Sequence, residues 1–233
     1  MERKRIAGEK AAEYIKDGMI VGLGTGSTAF YMIHKVGEMV KDGMNITAVA
    51  TSSSTEILAK SLNIPVFNVD EVTSIDLAID GVDAIDRNFN AVKGGGGALF
   101  REKIVASMAK EVIWIMDERK LVDDIGACPL PVEVLPYGYT QVLRQLETYG
   151  YKPQIRTKDG VKFLTDNGNY IIDLHMTAPM DILDVNAKLD SIVGVLETGL
   201  FLNMCTCMIV GTDSGAVVYE NKLHPAYKRK EKK

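Results

Sequence analysis

The chain has 233 residues, 46% hydrophobic and 25% charged, a balance that suits a globular protein with a sizeable core and excludes a wholly disordered one. Its 27 Lys and Arg against 31 Asp and Glu give a formal net charge of −4, which argues against nucleic acid or anionic membrane as partners. No apolar stretch approaches the roughly 18 residues of a membrane span, and Glu9 and Glu13 interrupt the start where a signal peptide needs an apolar core. A cytoplasmic protein is expected.

In chain order, "IAGEKAAEYIKDG" (6–18) predicts an amphipathic helix stopped by Gly18, and "MIVGL" (19–23) a buried strand. "STAFYMIHKVGEMVKDG" (27–43) predicts a second helix with Phe30, Ile33, Val36 or Gly37, and Val40 on one face. "NITAVA" (45–50) reads as a strand, "STEILAKSLN" (54–63) as a serine-capped helix, and "IPVFNV" (64–69) as another strand. "SIDLAID" (74–80) and "EVIWIMD" (111–117) complete the series, with "GALFREKIVASMAK" (97–110) as the helix between them. Alternating strands and helices of this kind predict a Rossmann-like α/β fold: a mainly parallel sheet with helices on both faces.

After residue 128 the pattern changes, with Pro129, Pro131 and Pro136 in one linker. Strand "VEVL" (132–135), helix 139–150, strand "KPQIRT" (152–157), strand "YIIDLH" (170–175), helix 181–192 and strand "VLETGLF" (195–201) then follow. That β-α-β-β-α-β order predicts a smaller ferredoxin-like α+β domain, with room for an extra hairpin at "KDG" and "DNG". "MCTCMIVGT" (204–212) and "AVVYE" (216–220) are expected to return to the first sheet. The expected domains are therefore 1–130 with 206–233, and 131–205. Cys128, Cys205 and Cys207 have no zinc spacing, nor do His34, His175 and His224; free buried thiols and no metal are expected. The basic run at 228–233 is expected to be a solvated tail.

In an open α/β sheet, ligands collect beyond the carboxyl ends of the strands. "GTGST", "TSSST", "GVDAID" and "ERK" follow four predicted strands and should share that edge, with "KGGGG" reaching it too. "GLGTGST" (22–28) opens a helix and carries Thr25, Ser27 and Thr28, so its N–H groups and hydroxyls suit a phosphate. Gly26 stands where a P-loop has lysine, and Ser27 where a dinucleotide fingerprint has glycine. No acid precedes Glu56 after the second strand, so a monophosphate fits better than a dinucleotide, although a purely structural turn is the competing reading.

Asp80, Asp83 and Asp86 can cap turns or serve a ligand; Lys93 and Lys120 can be solvated charges or overlook the same edge. Glu102 falls on a helical face with Ala98, Ala106 and Ala109, where desolvation would raise its proton affinity; pairing with Arg101 or Lys103 is the structural alternative.

Together and in this order, "VGLGTGSTAFYMI", "TSSSTEILAKSLNIPV", "LAIDGVDAID", "KGGGGALFREKI", "DERKLV", "PLPVEV" and "TDNGNYIIDL" resemble ribose-5-phosphate isomerase of the A type, from about residue 10 to 215. Ala84 stands where that family usually has glutamate. The resemblance implies interconversion of D-ribose 5-phosphate and D-ribulose 5-phosphate through an enediolate, without metal or other cofactor. It implies Glu102 as the proton-shuttling base, Asp80 in ring opening, Asp83 orienting the sugar, and Lys93 with the glycine backbone on the oxyanion. Thr25, Gly26, Ser27, Thr28 and Lys120 would hold the phosphate, and Gly81, Gly94, Gly95 and Gly96 would border the sugar. Family members generally assemble through the smaller domain, so a homodimer or homotetramer is expected. Two other classes remain to be weighed: a sugar-phosphate-binding regulatory protein without catalysis, and a nicotinamide dehydrogenase, the latter disfavoured by the missing glycine and acid.

Overall fold

A computed structural model of the chain describes residues 1–176 and 181–226, so the basic run at 228–233 lies outside the described residues. The chain opens with α1 (Glu2–Ala12), β1 (Ile20–Leu23), α2 (Ser27–Lys41), β2 (Thr47–Ala50), α3 (Ser53–Ser61), β3 (Val66–Phe67) and β4 (Ile75–Gly81). Next come β5 (Ala84–Ile85), β6 (Ala91–Val92), α4 (Leu99–Met108), β7 (Ala109–Asp117), β8 (Leu130–Val134), α5 (Tyr139–Thr148) and β9 (Lys152–Ile155). The remainder is β10 (Thr157–Lys158), β11 (Val161–Lys162), β12 (Tyr170–His175), α6 (Ile182–Asp190), β13 (Val195–Thr198), β14 (Leu200–Phe201), β15 (Cys207–Thr212) and β16 (Gly215–Glu220).

The chain divides into two compact units, Met1–Val82 with Arg101–Leu121 and Leu202–Lys233, and Asp83–Phe100 with Val122–Phe201. The boundaries expected from sequence differ in one consequential respect: residues 83–100, with Asp83, Lys93 and the glycine run, belong to the second unit. The reason is strand pairing, because β6 lies between β5 and β14 in a small antiparallel sheet.

In the first unit the sheet order is β16-β15-β7-β4-β1-β2-β3, parallel except for the antiparallel edge strand β16. Its central strands are buried on both sides, which is why they read as unbroken apolar runs. Val21 and Leu23 share a core cluster with Ala7 and Ala11 of α1 and Ala29 and Met32 of α2. Gly22 points to the opposite face, where a side chain would strike Val105 of α4.

The second unit carries the antiparallel sheet β13-β8-β12-β9 and, with α5 and α6, the β-α-β-β-α-β order. The extra hairpin is β10–β11, turning at Asp159 and Gly160.

Several local expectations are corrected. α1 begins at Glu2 and ends at Ala12, because Arg5 pairs with Glu2 and Glu9 along an early helical turn. On α2 the buried face is Ala29, Met32, Ile33, Val36 and Gly37, whereas Phe30 is half-exposed with its ring against His34. The strand expected over 64–69 shrinks to β3, with a tight turn over Val69–Glu71 capped by Asn68. α4 stops at Met108, so Ala109 and Lys110 start β7 rather than ending the helix. The single strand expected over 195–201 breaks at Gly199 into β13, paired with β8, and β14, paired with β6. The three cysteines are unbridged; Cys205 and Cys207 are buried, Cys128 only partly, and burial pushes the Cys205 thiol far up.

Candidate active site

At the carboxyl edge of the first unit's sheet, β1 runs into Gly24–Gly26, β2 into Thr51 and Ser52, β4 ends in Asp80 and Gly81, and β7 ends in Asp117. Asp80 is buried, and its Oδ1 accepts hydrogen bonds from the Thr25 amide at 2.9 Å and the Gly81 amide at 2.7 Å. The loop after β1 comes this close because residue 24 is glycine: a β-carbon there would overlap the Asp80 carboxylate.

The hydroxyls of "TSSST" brace the same loop. Thr25 Oγ1 lies 2.7 Å from Thr51 Oγ1 and 2.8 Å from Ser52 Oγ, and Thr55 Oγ1 donates to the Gly24 carbonyl at 2.9 Å. Thr25, expected as a phosphate ligand through its hydroxyl, therefore spends that group on the neighbouring loop. Gly26 is the N-cap of α2 with φ of 108° and supplies no side-chain cap, and the helix's first turn has no acidic residue. The N–H groups of that turn lack intrahelical acceptors and carry the positive end of the helix dipole. Ser27 is exposed at this terminus, whereas Thr28 is buried.

Lys4 was not anticipated: its Nζ hydrogen-bonds Ser27 Oγ at 2.8 Å. The small-residue stripe Ala7, Gly8, Ala11 and Ala12 was the signal available, since Gly8 lets α1 approach the backbone of Thr28 and Met32. Lys120 ends a tight turn over Glu118–Lys120 and is half-buried. Asp117 starts this turn; the Arg119 guanidinium hydrogen-bonded to it holds its carboxyl below the usual range against the opposing effect of burial.

Glu102 is 6% exposed, in the first turn of α4. Of the alanine face expected around it, Ala106 lies in the helix and is buried, Ala98 precedes the helix, and Ala109 is in β7. The packing of Val105 against Gly22 seats α4 on β1. A step of three residues toward the N-terminus, roughly 4.5 Å along the axis, puts Glu102 nearer the sheet's carboxyl edge.

In the second unit, Asp83 Oδ2 accepts the Gly95 amide at 2.6 Å, and the Asp83 amide donates to the Val92 carbonyl at 2.8 Å. Ala84, on β5 opposite Val92, is fully buried. Lys93 is buried, with its Nζ 5.4 Å from the centre of the Phe201 ring and its amide donating to the Gly199 carbonyl. The glycine run is a tight turn closed by a 2.9 Å bond from the Gly97 amide to the Gly94 carbonyl. Gly94 and Gly97 have φ of 100° and 81°, and the Phe163 ring occupies the space a Gly97 side chain would need.

A family model described as Ribose 5-phosphate isomerase A (phosphoriboisomerase A) matches residues 47–215. Ribose-5-phosphate isomerase A of Streptococcus pneumoniae (strain Hungary19A-6) is 50% identical over 220 residues, covering 94% of this chain and 97% of that protein. Ribose 5-phosphate isomerase from Plasmodium falciparum superposes with a TM-score of 0.91 at 37% identity, covering 95% of this chain and 100% of that one. A D-ribose-5-phosphate isomerase solved in complex with phospho-erythronic acid gives a TM-score of 0.90 at 40% identity, covering 94% of this chain and 98% of that one. By the family model and by these relatives over nearly its whole length, the chain belongs to the ribose 5-phosphate isomerase A family.

Proposed function

We propose that Glu102 is the base with which this chain interconverts D-ribose 5-phosphate and D-ribulose 5-phosphate, the reaction of its family. The observation that carries the assignment is a carboxylate only 6% exposed in the first turn of α4, a helix seated directly on β1. On the open-chain aldose, Glu102 removes the proton from carbon 2, and the electron pair moves onto the carbonyl oxygen of carbon 1 to give an enediolate. Glu102 then returns the proton to carbon 1 while the hydroxyl proton on oxygen 2 passes to oxygen 1, leaving a ketone at carbon 2. One carboxylate suffices because the two carbons are adjacent.

The other groups take roles that this chemistry demands. Asp80 exchanges a proton with the ring oxygen during opening, and Asp83 orients the sugar hydroxyls. Lys93 and the amides of Gly94 and Gly96 stabilise the oxyanion, while the Gly95 amide holds the Asp83 carboxylate. The helix terminus at Gly26, Ser27 and Thr28 holds the phosphate, with Lys4 and Lys120 as cations, and Gly81 keeps the strand end open to the sugar. None of these roles invokes a metal or cofactor.

A cytoplasmic enzyme acting on a free sugar phosphate is consistent with the absence, among the described residues, of any helix long and apolar enough to cross a membrane. Self-association through the second unit is supported by its exposed Leu135, Tyr137, Val161, Leu183 and Val193. The function is tested by following ketose formation from D-ribose 5-phosphate in the presence of excess chelator. Turnover is expected to persist; binding of the sugar phosphate without turnover would leave a regulatory protein instead.

A further inference from the structure

We propose that Arg156 is a positioning residue that sets the direction of the glycine-run amides; this rests on the reading that amides of the run meet the sugar oxyanion. Arg156 follows β9 and its side chain is 16% exposed. Its guanidinium is held by Asp173 of β12 at two points, Nε to Oδ2 at 2.9 Å and Nη2 to Oδ1. A two-point carboxylate clamp fixes the guanidinium plane as a lysine could not be fixed.

The third nitrogen, Nη1, is directed at the glycine run. It donates to the carbonyl of Gly94 at 2.8 Å and to that of Gly95 at 3.1 Å. In a trans peptide the carbonyl and the following N–H point in opposite directions. Holding these two carbonyls on Arg156 therefore turns the amides of Gly95 and Gly96 to the other side of the loop. The Gly95 amide meets Asp83 there, and a β-carbon on Gly96 would find nothing within 4 Å, so the loop at Gly96 borders open space. A cation on the carbonyl also polarises the peptide and strengthens its N–H as a donor.

Phe163 completes the support from the same side. Its ring lies against Gly97, its amide donates to the Arg156 carbonyl at 2.9 Å, and the Arg156 guanidinium is 5.8 Å from its ring centre. Arg156 and Phe163 together give the four glycines one conformation that the glycines alone would not choose.

The test compares Arg156→Lys and Asp173→Asn with the wild-type chain in kcat, KM, melting temperature, and affinity for phospho-erythronic acid and for inorganic phosphate. Arg156→Lys is expected to lower kcat by about 10- to 100-fold, a fraction of what loss of an oxyanion donor costs, with KM within about threefold. Affinity for phospho-erythronic acid, whose carboxylate mimics the anionic oxygen, should fall with kcat while that for phosphate holds. Asp173→Asn should shift the same quantities less.

A wild-type kcat in both variants overturns the inference, as does a loss in which KM, phosphate affinity and melting temperature all move together, because that describes a fold support. Should Arg156→Lys not fold, the Asp173→Asn comparison decides alone. Glu102→Gln is run in parallel: if it retains full turnover the reading of the active site fails, whereas an inactive Glu102→Gln beside a fully active Arg156→Lys sinks only the role given to Arg156.

Discussion

The amide of Thr25 donates a 2.9 Å hydrogen bond to Oδ1 of the buried Asp80, so the loop that precedes α2 and the acid at the end of β4 are one assembly. Gly24 permits the approach, and the Gly81 amide adds a second donor to the same oxygen. Asp80 thus has two duties, one structural through Oδ1 and one proposed in proton transfer.

Those duties separate by substitution. Asp80→Asn can keep an oxygen facing the two amides, so it is expected to lower kcat by about 10²- to 10³-fold while KM changes little. Asp80→Ala removes the acceptor and leaves buried amides without it, which should raise KM as well and lower the melting temperature. Steady-state kinetics and thermal unfolding of both variants check the separation; identical behaviour of the two would contradict it.

The contact between Lys4 and Ser27 predicts a cation beside the phosphate. Lys4→Met should raise KM for the sugar phosphate by about tenfold, the loss of one charge-assisted contact, with kcat nearly intact. Ser27→Ala should act in the same direction. The effect should shrink with added salt, as expected for an exposed charge, and an unchanged KM at low salt would remove Lys4 from the site.

Asp117 provides the pH prediction. Its hydrogen bonds from Arg119 hold the folded carboxyl below its ordinary value of 3.8. A lowered folded value means that the stabilisation is complete above about pH 4 and is lost as the pH falls toward the folded value. Asp117→Asn should therefore unfold at lower urea than wild type at pH 7, with the gap closing below about pH 4. A gap of constant size across that range would show that Asp117 supports the turn by shape alone.

Much of the first unit was legible because its signals are local. A glycine-rich turn between an apolar run and an amphipathic helix specifies strand, loop and helix within a few residues, as Gly22–Thr28 does. What was not legible depends on partners distant in sequence. Gly199 breaks the seven-residue stretch 195–201 because β13 is drawn to β8 and β14 to β6, and nothing within "VLETGLF" reports that choice. α4 passes into β7 without a turn residue, so the helix period alone carried Ala109 into the wrong element. Phe30 faces outward because α1 covers the side of α2 carrying Ala29 and Met32, a contact marked only by the small residues of α1. In the candidate site, Asp80, Glu102 and the loop at 24–28 were marked by strand ends and spacing, and the contact of Lys4 with Ser27 only by the small residues that bring α1 against α2, whereas the contacts of Arg156 with the glycine run are encoded by no local pattern.

The proton-shuttling role of Glu102 is tested most directly by turnover and hydrogen exchange in heavy water. D-ribose 5-phosphate is incubated with wild type and with Glu102→Gln, and deuterium at carbon 1 of the ketose and carbon 2 of the aldose is followed by NMR. The account predicts ketose formation with deuterium incorporation by wild type, and in Glu102→Gln a loss of both by at least about 10²- to 10⁴-fold with substrate affinity within a few fold of wild type. Turnover and exchange by Glu102→Gln at the wild-type rate would contradict it.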